Sequence, residues 1–283
     1  MKRIYLDYAA TTPVDARVLR AMLPYFSEKW GNPGSLHSFG QEAIAAVDRS
    51  RETIAKIMGC PPSGGFRDVI FTGSATEANN MVLRSTILGI KNYELGIRSR
   101  GDDKHLIHNS QFIIPRIVIS AVEHESVLGP ARALEREGLV EPKILPVAEE
   151  GKVKLSALKK LLNENTVLVS VMQANNEVGS IQPIVEIAKM ISDFKKQVVN
   201  SEGQVADNKR GDHKPSAIGP WPVFHTDFVQ ALQYLDCRPE ALGVDFMTIS
   251  GHKIYGPKGI GGGVFGGGGK TPPPGEKKKN PIV

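Results

Sequence analysis

Residues 166–194 read TVLVSVMQANNEVGSIQPIVEIAKMISDF, and their reading decides the fold. Thr166 to Met172 is an apolar run of strand length, Asn175 and Asn176 open a polar loop, and a helix is predicted from near Pro183. A buried strand that passes through a short loop into a helix is the repeating unit of a parallel sheet with right-handed crossovers.

The same rhythm extends outward. Asp68 to Thr72 reads as a strand, followed by a small-residue loop and a helix from about Ala75. Arg116 to Ser120 is a strand, His124 lies in the loop after it, and a helix runs toward Gly138. KILPV (143–147) and LSALKKLLN (155–163) form another strand and helix, while VFHTDFVQALQYL (223–235) and VDFMTISGHK (244–253) each begin with a strand-like run. Strands alternating with helices predict an α/β fold, a mostly parallel sheet flanked by helices.

The N-terminal part is read differently. After an irregular opening, Asp15 is a candidate N-cap for a helix carrying Val18, Leu19, Met22 and Leu23 on one side, with Pro24 as a kink or end. GNPGS (31–35) is a turn cluster, and Gln41 to Met58 is an amphipathic helix that Gly59 stops. Two polar segments, about 92–114 and 200–220, are expected to be exposed insertions. Residues 1–265 are therefore read as one large domain with an N-terminal segment, and 266–283 as a Gly/Pro/Lys-rich tail.

Composition narrows the classes of function. Hydrophobic residues at 41% and charged residues at 23% are those of a globular chain, which argues against a disordered or fibrous one. The net charge of +5 owes much to Lys270, Lys277, Lys278 and Lys279 in the tail, so no nucleic-acid surface is expected. Cys60 and Cys237 are too few for a disulfide framework or a zinc site, and no metal is expected. Asp7 interrupts the apolar stretch a signal peptide needs, and no run of some 18 apolar residues occurs, so a cytoplasmic, non-membrane protein is expected. GGGVFGGGGKT (261–271) resembles a nucleotide-binding loop, but Val264 stands where its first glycine belongs and TPPPG follows where a helix must start.

Ligands of open parallel sheets bind beyond the carboxyl ends of the strands, so the loops there are predicted to share a pocket. They carry Ser74, Ala75 and Thr76; His124; Asn175 and Asn176; Asp227 and Gln230; and Ser250, His252 and Lys253. A helix starting near Ala75, with the donors Thr76, Ser250 and His252, makes a phosphate cradle. Asp227 suits a protonated ring nitrogen, His124 a stacked ring, the amides of Asn176 and Gln230 a phenolic oxygen, and Lys253 an aldehyde. Those four groups together describe pyridoxal 5'-phosphate. Each residue also has a plainer use: GSATEANN as a helix start, Asn175–Asn176 as a turn, Asp227 as a cap, and His225 as a packed core histidine.

YLDYAATTPVD, GNPGSLHSFG, ATEANN, EHESV, NNEVG, FHTDFVQALQ and SGHKIYGPKGIG stand here in the order and spacing of a known family. The chain resembles the cysteine desulfurases, class V members of the aspartate aminotransferase-like (fold type I) enzymes that use pyridoxal phosphate. The resemblance implies the large domain of that fold. It makes Lys253 the cofactor-anchoring lysine, His124 a ring-stacking and acid/base histidine, Asp227 the partner of the ring nitrogen and Gln230 that of the phenolic oxygen. Asn176 corresponds to a ring contact, and Ala75, Thr76, Ser250 and His252 to the phosphate cup. The implied reaction converts L-cysteine to L-alanine and leaves a persulfide for iron–sulfur cluster assembly, in a homodimer that serves a sulfur-acceptor or scaffold protein. Three departures stand out: GSATE replaces the usual SGATE, FVQ (228–230) replaces a smaller pattern, and the chain stops near where a small C-terminal domain with the persulfide cysteine begins in the family. A C-terminally truncated enzyme is thus expected, with another class V lyase or aminotransferase, or a non-catalytic scaffold, as the alternatives.

Overall fold

The computed structural model describes residues 3–60, 67–99, 114–206 and 222–266. Its helices are α1 (Ala16–Met22), α2 (Pro24–Ser27), α3 (Ser38–Ile57), α4 (Ala75–Ser99), α5 (Glu125–Arg136), α6 (Leu155–Leu161), α7 (Ile184–Ala206) and α8 (Pro239–Leu242). Its strands are β1 (Val69–Thr72), β2 (Arg116–Ser120), β3 (Glu141–Leu145), β4 (Thr166–Ser170), β5 (Val223–Asp227), β6 (Phe246–Ser250) and β7 (Gly261–Phe265).

They form one seven-stranded sheet in the order β1-β7-β6-β5-β4-β2-β3. The pairs from β3 through to β6 are parallel, whereas β7 is antiparallel to both of its neighbours, β1 and β6. The carboxyl ends of β1, β2, β3, β4, β5 and β6 therefore share one edge of the sheet, and β7 begins at that edge.

Alternation along the strands builds two cores. In β2, Ile117 and Ile119 pack with Val82, Leu83 and Ile87 of α4 and Val127, Ala131 and Leu134 of α5. Val118 faces the other way, into a cluster that includes Met58 beside α3, Leu158 of α6 and Ile184, Ile187 and Ile191 of α7. Buried on both faces, β4 is apolar almost throughout, which is why it could be read from sequence.

The structure corrects several expectations. The helices α4 and α7 continue to Ser99 and Ala206, so the first parts of the two expected loops are helical; the rest of each segment, and the tail from 267, lie outside the described residues. No helix follows Asp227, where residues 229–234 form turns instead. Strand β3 sits two residues upstream of KILPV.

The largest omission is β7, a stretch to which the sequence reading assigned no strand. Its glycines are demanded by packing: a Cβ at Gly263 would lie 2.2 Å from Cζ of Phe246. Gly263→Ala must displace a buried ring edge and is expected to cost about 1–3 kcal/mol. A fall of that size in unfolding free energy, read from the urea midpoint at unchanged slope, checks the placement of this strand.

Candidate active site

The loop between β6 and β7 sets Lys253 at the carboxyl edge. Residues Gly251–Lys253 form a single 3₁₀ turn, and Tyr255 just after it holds φ 62°, a region costly for a side-chain-bearing residue. The N-terminal segment supports this shape. Thr12 N–H donates to the His252 carbonyl at 2.9 Å, its hydroxyl accepts from Tyr255 N–H at 2.8 Å, and Asp15 N–H donates to the Tyr255 carbonyl at 2.9 Å. The ring of His252 lies 3.1 Å from the hydroxyl of Thr11.

Lys253 Nζ donates to the carbonyls of Ala9 and Ala10, and Gln230 Nε2 donates to that of Ala9 at 3.0 Å. Desolvation pulls the Lys253 ammonium below its ordinary pKa, against the pull of Asp7 and Asp227. Lys253 is half-buried and makes no ion pair in the described residues. A lysine in that state is a ready nucleophile.

Asp227 closes β5 and is buried. Its Oδ2 accepts from Asn79 Nδ2 at 2.8 Å and its Oδ1 from Val229 N–H at 3.0 Å. With no helix after it, Asp227 caps a turn instead, and its other oxygen is tied to α4 through Asn79. Burial raises its pKa, while Asn79, Val229, His124 and Lys253 pull it back.

His124 is the N-cap of α5, its Nδ1 accepting from Ser126 N–H at 3.1 Å, and it is exposed at the edge. Asn175 is spent on its own loop: Oδ1 accepts from the N–H groups of Glu177 and Val178, and Nδ2 donates to Val122. Asn176 lines a cleft of about 460 Å³ with Ala9, Gln230 and Tyr234. Ser250 is buried at the end of β6, paired with Gly261. The packed-histidine reading of His225 holds, since Ser170 and Thr248 hydroxyls lie 2.9 and 3.0 Å from its two ring nitrogens and burial lowers its pKa to about 3.

The start of α4 shows how the Gly73–Ser74 order works. Ser74 Oγ accepts from Glu77 N–H at 3.1 Å, and the Glu77 carboxylate accepts from Gly73 N–H at 2.7 Å, a capping box. As first-turn groups, the Ala75 and Thr76 N–H have no intrahelical carbonyl to donate to. Against them lies β7, because Gly261 has no Cβ; one built there would stand 2.3 Å from the Ser74 carbonyl carbon and 2.5 Å from Ala75 N.

The residues fit pyridoxal phosphate on these observations. First-turn N–H groups at a helix start suit a phosphate, a buried carboxyl whose contacts are all neutral donors suits a cationic ring nitrogen, and a desolvated lysine suits an aldehyde.

Sequence reasoning missed Asn79, Ser126 and Glu123, and gave no role to Ala9, Ala10 or Thr12. The signal for Asn79 was a polar residue on the face of α4 that also carries Val82 and Leu83. Glu123 is buried beside His124: its Oε1 accepts from the Ser120 hydroxyl and from Met172 N–H, tying the loops after β2 and β4 together. Its Oε2 has no partner.

This sheet, with a lysine in the loop before a reversed strand, defines a fold shared with known enzymes. The aminotransferase class-V family matches residues 4–94, 114–205 and 221–264, and the chain belongs to that family. It is 39% identical over 262 residues to the cysteine desulfurase IscS of Dictyoglomus turgidum, covering 92% of this chain and 54% of that protein. Among solved structures, a NifS-like protein superposes with a TM-score of 0.72 at 33% identity, over 93% of this chain and 59% of the other. A structure described as SspA in complex with cysteine superposes with a TM-score of 0.71 at 28% identity, over 92% and 60%. The chain spans about half the length of the curated relatives it matches. No helix among the described residues is long and apolar enough to cross a membrane.

Burial, together with Asp227, raises the Glu123 pKa to about 8 from an ordinary 4.5. Between those values the folded chain binds more protons than the unfolded one, so the stability Glu123 contributes at low pH is lost as pH rises through 8. Glu123→Gln, neutral throughout, is expected to flatten the decline in urea midpoint between about pH 5 and pH 8. A variant whose decline matches the parent's would remove Glu123 as its source.

Proposed function

We propose that this chain is the cofactor-binding part of a pyridoxal 5'-phosphate-dependent cysteine desulfurase, which takes L-cysteine to L-alanine and leaves sulfur as a persulfide for iron–sulfur cluster assembly. The carrying observation is the meeting of Lys253, buried Asp227, His124 and the start of α4 at one sheet edge. The relatives named cysteine desulfurase select this reading from other class V chemistries.

In this reading Ala75 and Thr76 N–H groups hold the phosphate, with Thr76, Ser250 and His252 completing the cup. Asp227 would partner a protonated ring nitrogen, Gln230 and Asn176 would offer their amides to the ring's oxygen, and His124 would supply a flat ring for it to stack on. When bound, the cofactor supplies an electron sink for charge at the substrate α-carbon. Lys253 anchors it, then acts as a free amine close to that carbon. In the cofactor-free chain the Ala9 and Ala10 carbonyls accept from that ammonium.

Cys60 and Cys237 do not serve as the sulfur acceptor. Cys237 lines a separate apolar cavity of about 440 Å³ with Ile54, Met58 and Phe71, and burial raises both thiols above their ordinary pKa, which opposes thiolate formation. In this reading neither of these two thiols accepts the sulfur. We read the protein as a cytoplasmic homodimer working with a sulfur-acceptor or iron–sulfur scaffold protein. Exposed Phe26, Trp30 and Leu36 give a second copy apolar surface to cover.

Adding the cofactor and then borohydride tests this reading. One phosphopyridoxyl adduct is expected, located by peptide mass at Lys253, with Lys253→Ala unmodified and Asp227→Ala binding at least tenfold more weakly. Adducts scattered over surface lysines, and equal in Lys253→Ala, would falsify it.

A further inference from the structure

Behind His124 lies a buried chain of polar groups that the reading above does not use. Ser126 and Asn79 are 6% and 0% exposed. Ser126 Oγ lies 2.8 Å from His124 Nδ1 and 2.8 Å from Asn79 Nδ2, and the same Nδ2 lies 2.8 Å from Asp227 Oδ2.

Proton counting gives this chain a direction. An amide NH₂ group only donates, so Asn79 spends one N–H on Asp227 and the other on the Ser126 oxygen. With its oxygen accepting, Ser126 has its hydroxyl proton free for His124 Nδ1. That nitrogen also accepts from Ser126 N–H, whose position is fixed by the first turn of α5. Two donors converge on Nδ1, so the neutral ring carries its proton on Nε2.

We propose that Ser126 and Asn79 are positioning residues that lock His124 in its Nε2–H tautomer, so that the ring of the resting chain offers Nε2–H as a hydrogen-bond donor. The inference rests on the cofactor reading for its consequence, while the tautomer is a property of the chain itself. In this tautomer Nε2 has no lone pair with which to accept a proton. Protonation at Nδ1 would break the helix cap and turn Ser126 away. The lock thus says which ring nitrogen holds the proton at rest, within the acid/base role that the family resemblance implies. Asn79 is buried deeper than any other member of the chain and sets its direction from the Asp227 end.

Nitrogen-15 histidine labelling tests it in the cofactor-free chain, with long-range proton–nitrogen spectra and His124 assigned by the signal lost in His124→Gln. In the parent, His124 is expected to show Nε2 protonated and Nδ1 bare. Ser126→Ala removes one hydrogen bond to Nδ1, and the Nδ1–H form is expected to rise by roughly fivefold. Ser126→Thr keeps the hydroxyl and is expected to restore the parent pattern. A parent with Nδ1 protonated, or a folded Ser126→Ala with the parent's tautomer ratio, overturns the proposal. The parent spectrum alone decides the tautomer if Ser126→Ala does not fold. Failure of the cofactor reading registers separately, as loss of the adduct at Lys253 with these spectra unchanged.

Discussion

Thr12 binds backbone on both sides of Lys253, to the carbonyl of His252 and the N–H of Tyr255, across some 240 residues of sequence. Much of the site depends on that tie. Tyr255 occupies a backbone region that costs of order 1–3 kcal/mol for such residues, and such a conformation persists only where neighbours over-determine it. Here Thr12 and Asp15 take up both polar groups of its peptide unit. The same N-terminal segment brings the carbonyls of Ala9 and Ala10 over Lys253 and Gln230. An irregular segment with no strand or helix of its own thus fixes the position of the most reactive amine.

A second constraint comes from β7. Parallel strands alone would carry the chain from β6 through a crossover helix back to the same end of the sheet. Reversing direction keeps the chain at the carboxyl edge, so the connection that holds Lys253 is a short loop. The reversed strand must then pass Phe246 on one side and the start of α4 on the other, and the two contacts exclude a Cβ at Gly263 and Gly261. The placement of Lys253 and the close approach of β7 to the start of α4 are thus consequences of one glycine strand.

This constraint also explains what was legible in the sequence. Strands such as β4 and β2 announce themselves by apolar runs, and Asp15, Gly59 and Ser74 mark helix ends by chemistry that acts within a few residues. Glycines in β7 carry no strand propensity, and only their neighbours in space require them. Lys253, Asp227 and His124 were legible because each sits at a strand end, where topology alone implies convergence. Asn79 and Ser126 were not, because their use is a hydrogen bond to a residue 148 or 47 positions away, which no local pattern encodes. Ala9 and Thr12 were hidden for the same reason.

Buried charge at this edge is arranged so that attraction is held in reserve. Asp227 and Lys253 each feel the other electrostatically, yet Lys253 donates to the N-terminal carbonyls and Asp227 accepts from Asn79 and Val229. A direct ion pair would stabilise the ammonium and hold its pKa up, which opposes nucleophilicity. Neutral partners leave the lysine easier to deprotonate and the carboxylate oriented but without a cation in contact. Glu123, whose raised pKa keeps it protonated at neutral pH, adds no second negative charge beside Asp227. The edge therefore holds a buried carboxyl, pushed up by burial and drawn back by Asn79, Val229, His124 and Lys253, and an ammonium pulled down by desolvation, each bonded to neutral groups instead of to the other.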